Sequence, residues 1–124
     1  MDTHTHDTPK RKYPRTHFRK PVAFTCRGYS EVTGGVEIGE GGISFQTEMA
    51  LDMNSPIVVN FYIPNGGFFC LRAVVKNTVD GFTTKPGHTV YGLSFTDVSL
   101  SLKRQIRAYV ARTSHEQEKF KLSI

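Results

Sequence analysis

Three arginines stand four residues apart in the segment Lys10-Arg11-Lys12-Tyr13-Pro14-Arg15-Thr16-His17-Phe18-Arg19-Lys20, namely Arg11, Arg15 and Arg19. A guanidinium is a planar fork of N–H donors. It pairs bidentately with a phosphate or with the O6/N7 edge of guanine, and its flat face stacks on a base. Six cations lie in these eleven residues with no acidic neighbour; sixteen Lys and Arg less these six leaves ten, against eleven Asp and Glu. The net charge of +5 is therefore the property of one short segment, and contact with an anion belongs there. By spacing alone, a solvated basic face or a general polyanion contact is the commoner account.

A second segment, Val36-Glu37-Ile38-Gly39-Glu40-Gly41-Gly42-Ile43-Ser44-Phe45, has the cadence of strand, tight turn and strand. Gly42 is free to take a positive φ if the turn demands one. Taken by itself this is an ordinary glycine-rich hairpin. Catalytic arrangements are missing: there is no GxSxG, HExxH, phosphate-binding GxxxxGK[ST] or GxGxxG before a helix. His4, His6, His17, His88 and His115 are scattered, and none pairs with a nucleophile at a recognisable spacing. Cys26 and Cys70 lack metal-ligand spacing and sit in apolar runs, as free thiols expected to be buried or half-buried. A binding protein without cofactor or metal is expected, not an enzyme.

The elements that hold these residues follow from periodicity. Residues 1–9 read as a disordered polar tail and 10–20 as the basic lead-in. Residues 21–97 alternate as strands: Val22, Phe24 and Cys26; a stretch over 29–37; Ile43 and Phe45; Ile57, Val59, Phe61 and Ile63; Phe69, Leu71, Ala73 and Val75; Tyr91, Leu93 and Phe95. Pro64-Asn65-Gly66-Gly67 joins two of them as a hairpin. The period then becomes helical over 99–114, with Ser99 as N-cap and Leu102, Ile106, Tyr109 and Val110 on one face. Residues 115–124 read as a charged tail. The fold class is all-β with a C-terminal helix, a six-stranded antiparallel barrel. No run approaches the roughly 18–20 apolar residues of a membrane span. The start, Met1 to Pro9, has no apolar core of a secretory signal. No membrane insertion and a cytoplasmic protein are the expectation.

In order and spacing these motifs resemble the PilZ family: RxxxR, a strand, [D/N]xSxxG, further strands and a closing helix. Arg11-Lys12-Tyr13-Pro14-Arg15 matches the first motif and Glu37-Ile38-Gly39-Glu40-Gly41-Gly42 stands at the second. Gly42-Ile43-Ser44-Phe45 and Tyr91-Gly92-Leu93-Ser94-Phe95 also look like the family's strands. The likeness spans residues 10–112. It implies a PilZ-like barrel over 10–114 in a bacterial protein that binds cyclic di-GMP. It further implies that Arg11 and Arg15 clamp phosphates and guanines, and that Glu37, Gly39 and Gly42 stand at the positions facing a guanine. Lys10, just before the motif, stands where the family sets whether one or two nucleotides bind, and Arg19 belongs to the alternative Arg15–Arg19 register. Binding is expected to order an otherwise disordered lead-in and relay the signal to a protein partner in motility, adhesion or polysaccharide output. Two departures are evident: Glu37 replaces Asp or Asn, and Gly39 replaces a Ser, which removes a hydroxyl. They leave open a degenerate module that binds protein and no nucleotide. A nucleic-acid-binding barrel using exposed Tyr13 and Phe18 is a third, disfavoured, alternative.

Overall fold

A computed structural model describes residues 13–123 of the chain, with side chains described up to Thr113. The elements are β1 (Arg15–His17), β2 (Pro21–Cys26), β3 (Tyr29–Gly39), β4 (Gly42–Thr47), β5 (Pro56–Ile63), β6 (Gly67–Thr78), β7 (Thr89–Phe95) and α1 (Leu100–Ser123). All strand pairings are antiparallel. The pairing β3–β4 joins the two ends of the run β3-β2-β5-β6-β7-β4, so six strands close a barrel. Closure removes the sheet edges that a flat arrangement would expose. β1 is an additional strand outside that ring, continuing the β2 edge of β3.

The alternation read from the sequence becomes the core. Val22, Phe24, Ile43, Phe45, Ile57, Val59, Phe61, Ile63, Ala73, Val75 and Leu93 all point inward and are buried. Phe24 stacks on Phe45 with centroids 4.8 Å apart. Arg27 and Gly28, with φ of 53° and 79°, form the two-residue turn between β2 and β3. Paired left-handed residues suit the twist of a hairpin. The Ser99 Oγ accepts from the Leu102 N–H at 3.1 Å, and the Ser99 carbonyl accepts from Lys103 N–H at 3.0 Å. Both bonds cap α1, whose Leu102, Ile106, Tyr109 and Val110 are buried.

The structure corrects several expectations. Within the lead-in, whose residues 10–12 lie outside the described residues, Arg15, Thr16 and His17 form a strand and pair with Gly39, Ile38 and Glu37. Phe18, taken as an exposed aromatic, is fully buried and packs edge-on against Phe61 and Tyr109, both at 5.8 Å. Burying a Phe anchors the lead-in by hydrophobic burial that charge counting cannot reveal. α1 continues past residue 114 to Ser123. Residues 115–123 hold no Gly or Pro to stop it. Cys26 is buried as expected, whereas Cys70 is exposed because it lies on the outward parity of β6. The left-handed glycines among the described residues are Gly28, Gly81 and Gly87, so Gly42 does not serve a positive φ. Its constraint is contact: a Cβ there would lie 1.9 Å from the Leu93 carbonyl oxygen. Among the described residues, no helix is long and apolar enough to cross a membrane.

That contact gives a direct test. Gly42→Ala must push β4 off β7 and is expected to cost about 1–3 kcal/mol or more of stability, the usual scale of overpacking. Gly34→Ala, whose Cβ would meet only Gln46 Nε2 at 3.7 Å, is the control. Urea unfolding should show a clear fall in midpoint for the first and little change for the second; equal midpoints would contradict the close approach.

Candidate functional site

On the face turned away from the core, two rows of residues cross the barrel. Glu37, Ser44, Gly92 and Asn77 are successive cross-strand partners through β3, β4, β7 and β6. Arg15, Gly39, Gly42 and Ser94 are successive partners through β1, β3, β4 and β7. Together they line a cavity of about 270 Å³, rimmed by Tyr13, Gly41 and Lys76. That is near the lower end of the ~300–1,000 Å³ common for small-molecule sites.

Two register shifts shape this cavity. Gly35 pairs with Phe45 and Glu37 with Ser44, so Val36 is extra in β3. Val75 pairs with Leu93 and Asn77 with Gly92, so Lys76 is extra in β6. Such bulges bend a strand and re-aim its side chains. The Ser44 Oγ accepts from the Glu37 N–H at 3.0 Å, satisfying the backbone at the first shift. Gly92 leaves space that the Asn77 carboxamide fills, because a Cβ there would lie 2.4 Å from Asn77 Oδ1.

The turn between β3 and β4 is crowded on every side. A Cβ on Gly39 would be 2.7 Å from the Pro14 carbonyl oxygen and 3.1 Å from Arg15 Cγ. One on Gly41 would be 3.2 Å from the Tyr13 ring. The Gly41 carbonyl accepts from Phe95 N–H at 2.9 Å. The remaining turn residue, Glu40, is buried and points away from the cavity to α1. Its two carboxylate oxygens accept from Arg107 Nε and Nη2, each at 2.9 Å. The hydrogen bond from Arg107 holds the Glu40 carboxyl below its usual range; the charges of Arg107 and Lys103 act in the same direction, and burial opposes them. The same hydrogen bond raises Arg107.

Of the residues singled out in the sequence, Arg15, Glu37, Gly39 and Gly42 meet at this cavity. Lys10 and Arg11 lie outside the described residues. Arg19 is directed elsewhere, to a second cavity of about 410 Å³ with Lys20, Glu31, Thr33, Lys85 and His88. Sequence reasoning missed Ser44, Lys76, Asn77 and Ser94 as lining residues. The break in alternation at Lys76-Asn77, straight after Val75, was the available signal for the second pair. Among the described residues, no group of His, Cys, Asp and Glu could hold a metal ion.

Two outcomes follow from the turn. The serine that the resemblance leads one to expect at Gly39 does not fit while β1 is seated, so Gly39→Ser should unpair β1. Hydrogen exchange should then accelerate at the amides of residues 15–17 and 37–39, and unchanged protection would contradict this. For Glu40, the folded carboxyl is more acidic than the unfolded one, with a reference value of 4.5. The stability it contributes is complete above that value and is lost as pH falls through the lower folded pKa. Glu40→Gln should therefore show a constant stability deficit near neutrality that shrinks below pH 4.5, read from thermal melts across pH.

A family profile described as PilZ domain matches residues 9–112. A search of curated proteins finds no match. Among solved structures, the Bacillus subtilis inhibitor of motility MotI/DgrA aligns with a TM-score of 0.74 at 16% identity, over 88% of this chain and 53% of that one. The PilZ domain of YcgR from Escherichia coli, solved with c-di-GMP, aligns with a TM-score of 0.70 at 14% identity, over 94% of this chain and 100% of that one. The K. pneumonia MrkH–c-di-GMP complex gives 0.69 at 17% identity, over 90% and 56%. The chain thus spans about half the length of the MotI and MrkH chains.

Proposed function

The chain belongs to the PilZ domain family, and from that premise we propose that it is a receptor for cyclic di-GMP that relays binding to a protein partner. The observation that carries the reading is the meeting, in one cavity, of Arg15 with Glu37, Gly39 and Gly42. These residues come from β1 and from the β3–β4 hairpin, which are separated in sequence by all of β2. Nothing in barrel packing requires an exposed arginine and a half-buried carboxylate to share this cavity.

In this reading the Arg15 guanidinium, with Arg11 from the preceding segment, takes the ligand's phosphates and the acceptor edge of a guanine. The Glu37 carboxylate accepts from the guanine N1–H and N2–H, donors that adenine does not present in that arrangement. Gly39 and Gly42 leave the backbone open to close approach. The hydroxyl missing at Gly39 weakens binding by about 1 kcal/mol, several-fold in affinity, and leaves the arginine contacts in place. Output follows from connectivity. A ligand that draws on the segment before β1 acts on Tyr13, which lies against Gly41, and on Phe18, which packs on Tyr109 of α1. The Glu40–Arg107 pair joins the same turn to the same helix. The surface that α1 and β1 present to a partner therefore differs between free and bound protein.

A second reading has an observation of its own. Tyr62 and Phe68, opposite each other on β5 and β6, are 55% and 68% exposed. With Gly39 they favour a PilZ module that binds protein and no nucleotide. Titration calorimetry separates the two. Cyclic di-GMP should give saturable heat with the wild type, weaker by at least about tenfold in Arg15→Ala. Cyclic di-AMP should give none. Folded wild-type protein that stays silent at saturating cyclic di-GMP would refute the receptor reading and favour the protein-binding module.

A further inference from the structure

Glu37 stands at one end of the transverse row; the other end is a wall made by β6. Regular alternation would send Lys76 and Asn77 to opposite faces of the sheet. The register shift between Val75 and Asn77 breaks that rule, and both residues line the cavity. Asn77 is cross-strand partner of Gly92, and its carboxamide lies over that glycine's bare Cα. Neighbouring strands are about 4.8 Å apart, so the three steps from Glu37 through Ser44 and Gly92 to Asn77 span about 14 Å between Cα atoms. Ser44, between them, is already committed to the Glu37 N–H. The polar groups that face each other along this row are thus a carboxylate at one end and a carboxamide with an adjacent ammonium at the other.

We propose that Lys76 and Asn77 form a second recognition wall for a cyclic purine dinucleotide. The Lys76 ammonium meets a phosphate, and the Asn77 carboxamide donates its N–H to an acceptor on the base edge. The inference rests on the cyclic di-GMP reading and deepens it. A carboxylate can only accept, so Glu37 serves the donor edge of one guanine; the ligand carries two guanines, and the base acceptors that Arg11 and Arg15 do not take need another donor. An amide N–H on the opposite wall complements them. The wall adds a hydrogen bond on the opposite side of the cavity from Gly39, which has no hydroxyl to offer. Gly92 is the enabling residue, since any side chain there would displace Asn77.

The test is calorimetric titration of cyclic di-GMP into the full chain and its variants, each first checked for an unchanged melting temperature. Asn77→Ala should weaken binding by about five- to tenfold, the scale of one hydrogen bond to a polar ligand. Asn77→Asp should be weaker still, because it exchanges the donor for an anion near a phosphate and a base acceptor. Gly92→Ala should reproduce the loss with Asn77 intact, by moving it. Lys76→Ala should lose affinity at low salt and differ less from wild type at high salt, while Lys76→Arg retains binding. Wild-type binding with Asn77→Ala, Asn77→Asp and Lys76→Ala all unchanged would overturn this inference alone. A silent wild type would overturn it together with the receptor reading.

Discussion

Absence of side-chain room at the turn from Gly39 to Gly42 is the constraint on which the barrel and its outer cavity both depend. Three of its four residues have neighbours where a Cβ would go: the Pro14 carbonyl at Gly39, the Tyr13 ring at Gly41 and the Leu93 carbonyl at Gly42. The last contact lets β4 lie between β3 and β7 and close the ring. The first lets β1 seat on β3, bringing Arg15 beside the hairpin. One backbone requirement thus fixes closure and the position of the cation. A larger residue at Gly39 or Gly42 would separate elements that are distant in sequence.

Glu40, the one turn residue with a side chain, connects this turn to α1. Its carboxylate is 7% exposed while its partner Arg107 is 61% exposed. Water reaches the guanidinium, so the pair contributes modestly to stability and chiefly fixes geometry. The heavier anchor beside it is aromatic: Phe18, buried between Phe61 and Tyr109, ties the residue after β1 to both barrel and helix. The short strand bearing Arg15 is therefore held by its three partners on β3, by the buried Thr16, by contact with α1 and by one buried ring after its end.

Sequence made the barrel legible wherever burial is one-sided. Period-two alternation located the inward residues of β2, β5, β6 and β7, and the change of period with Ser99 located the start of α1. It failed where geometry depends on partners. Phe18 sits among cations, so its surroundings in sequence are polar while its surroundings in space are apolar. Helical propensity without an apolar stripe carries α1 through residues 115–123, which periodicity had assigned to a tail. Gly42 looked like a turn glycine because φ and close contact leave the same mark in a sequence. At the cavity, Arg15, Glu37, Gly39 and Gly42 were named from motif order, whereas Ser44, Lys76, Asn77 and Ser94 were not. Pairing register decides which of these face the same way, and register is a property of two strands.

Gly39 shows how the two kinds of reading differ in sign. By motif comparison it is a deletion, a serine without its hydroxyl. In the fold, the space the side chain would need is occupied by the Pro14 carbonyl and the Arg15 stem. A glycine here is what allows the basic segment to pair as β1, so the substitution removes one polar group and positions another. Basic charge elsewhere in the segment is divided by the same strand: Arg15 turns to the cavity beside Glu37, while Arg19 and Lys20 turn to the cleft with Lys85 and His88. Of the six cations that composition presents as one block, the three described ones, Arg15, Arg19 and Lys20, fall on two separate surfaces after three residues of strand pairing. The first faces the glycine turn, which Glu40 ties to Arg107 of α1.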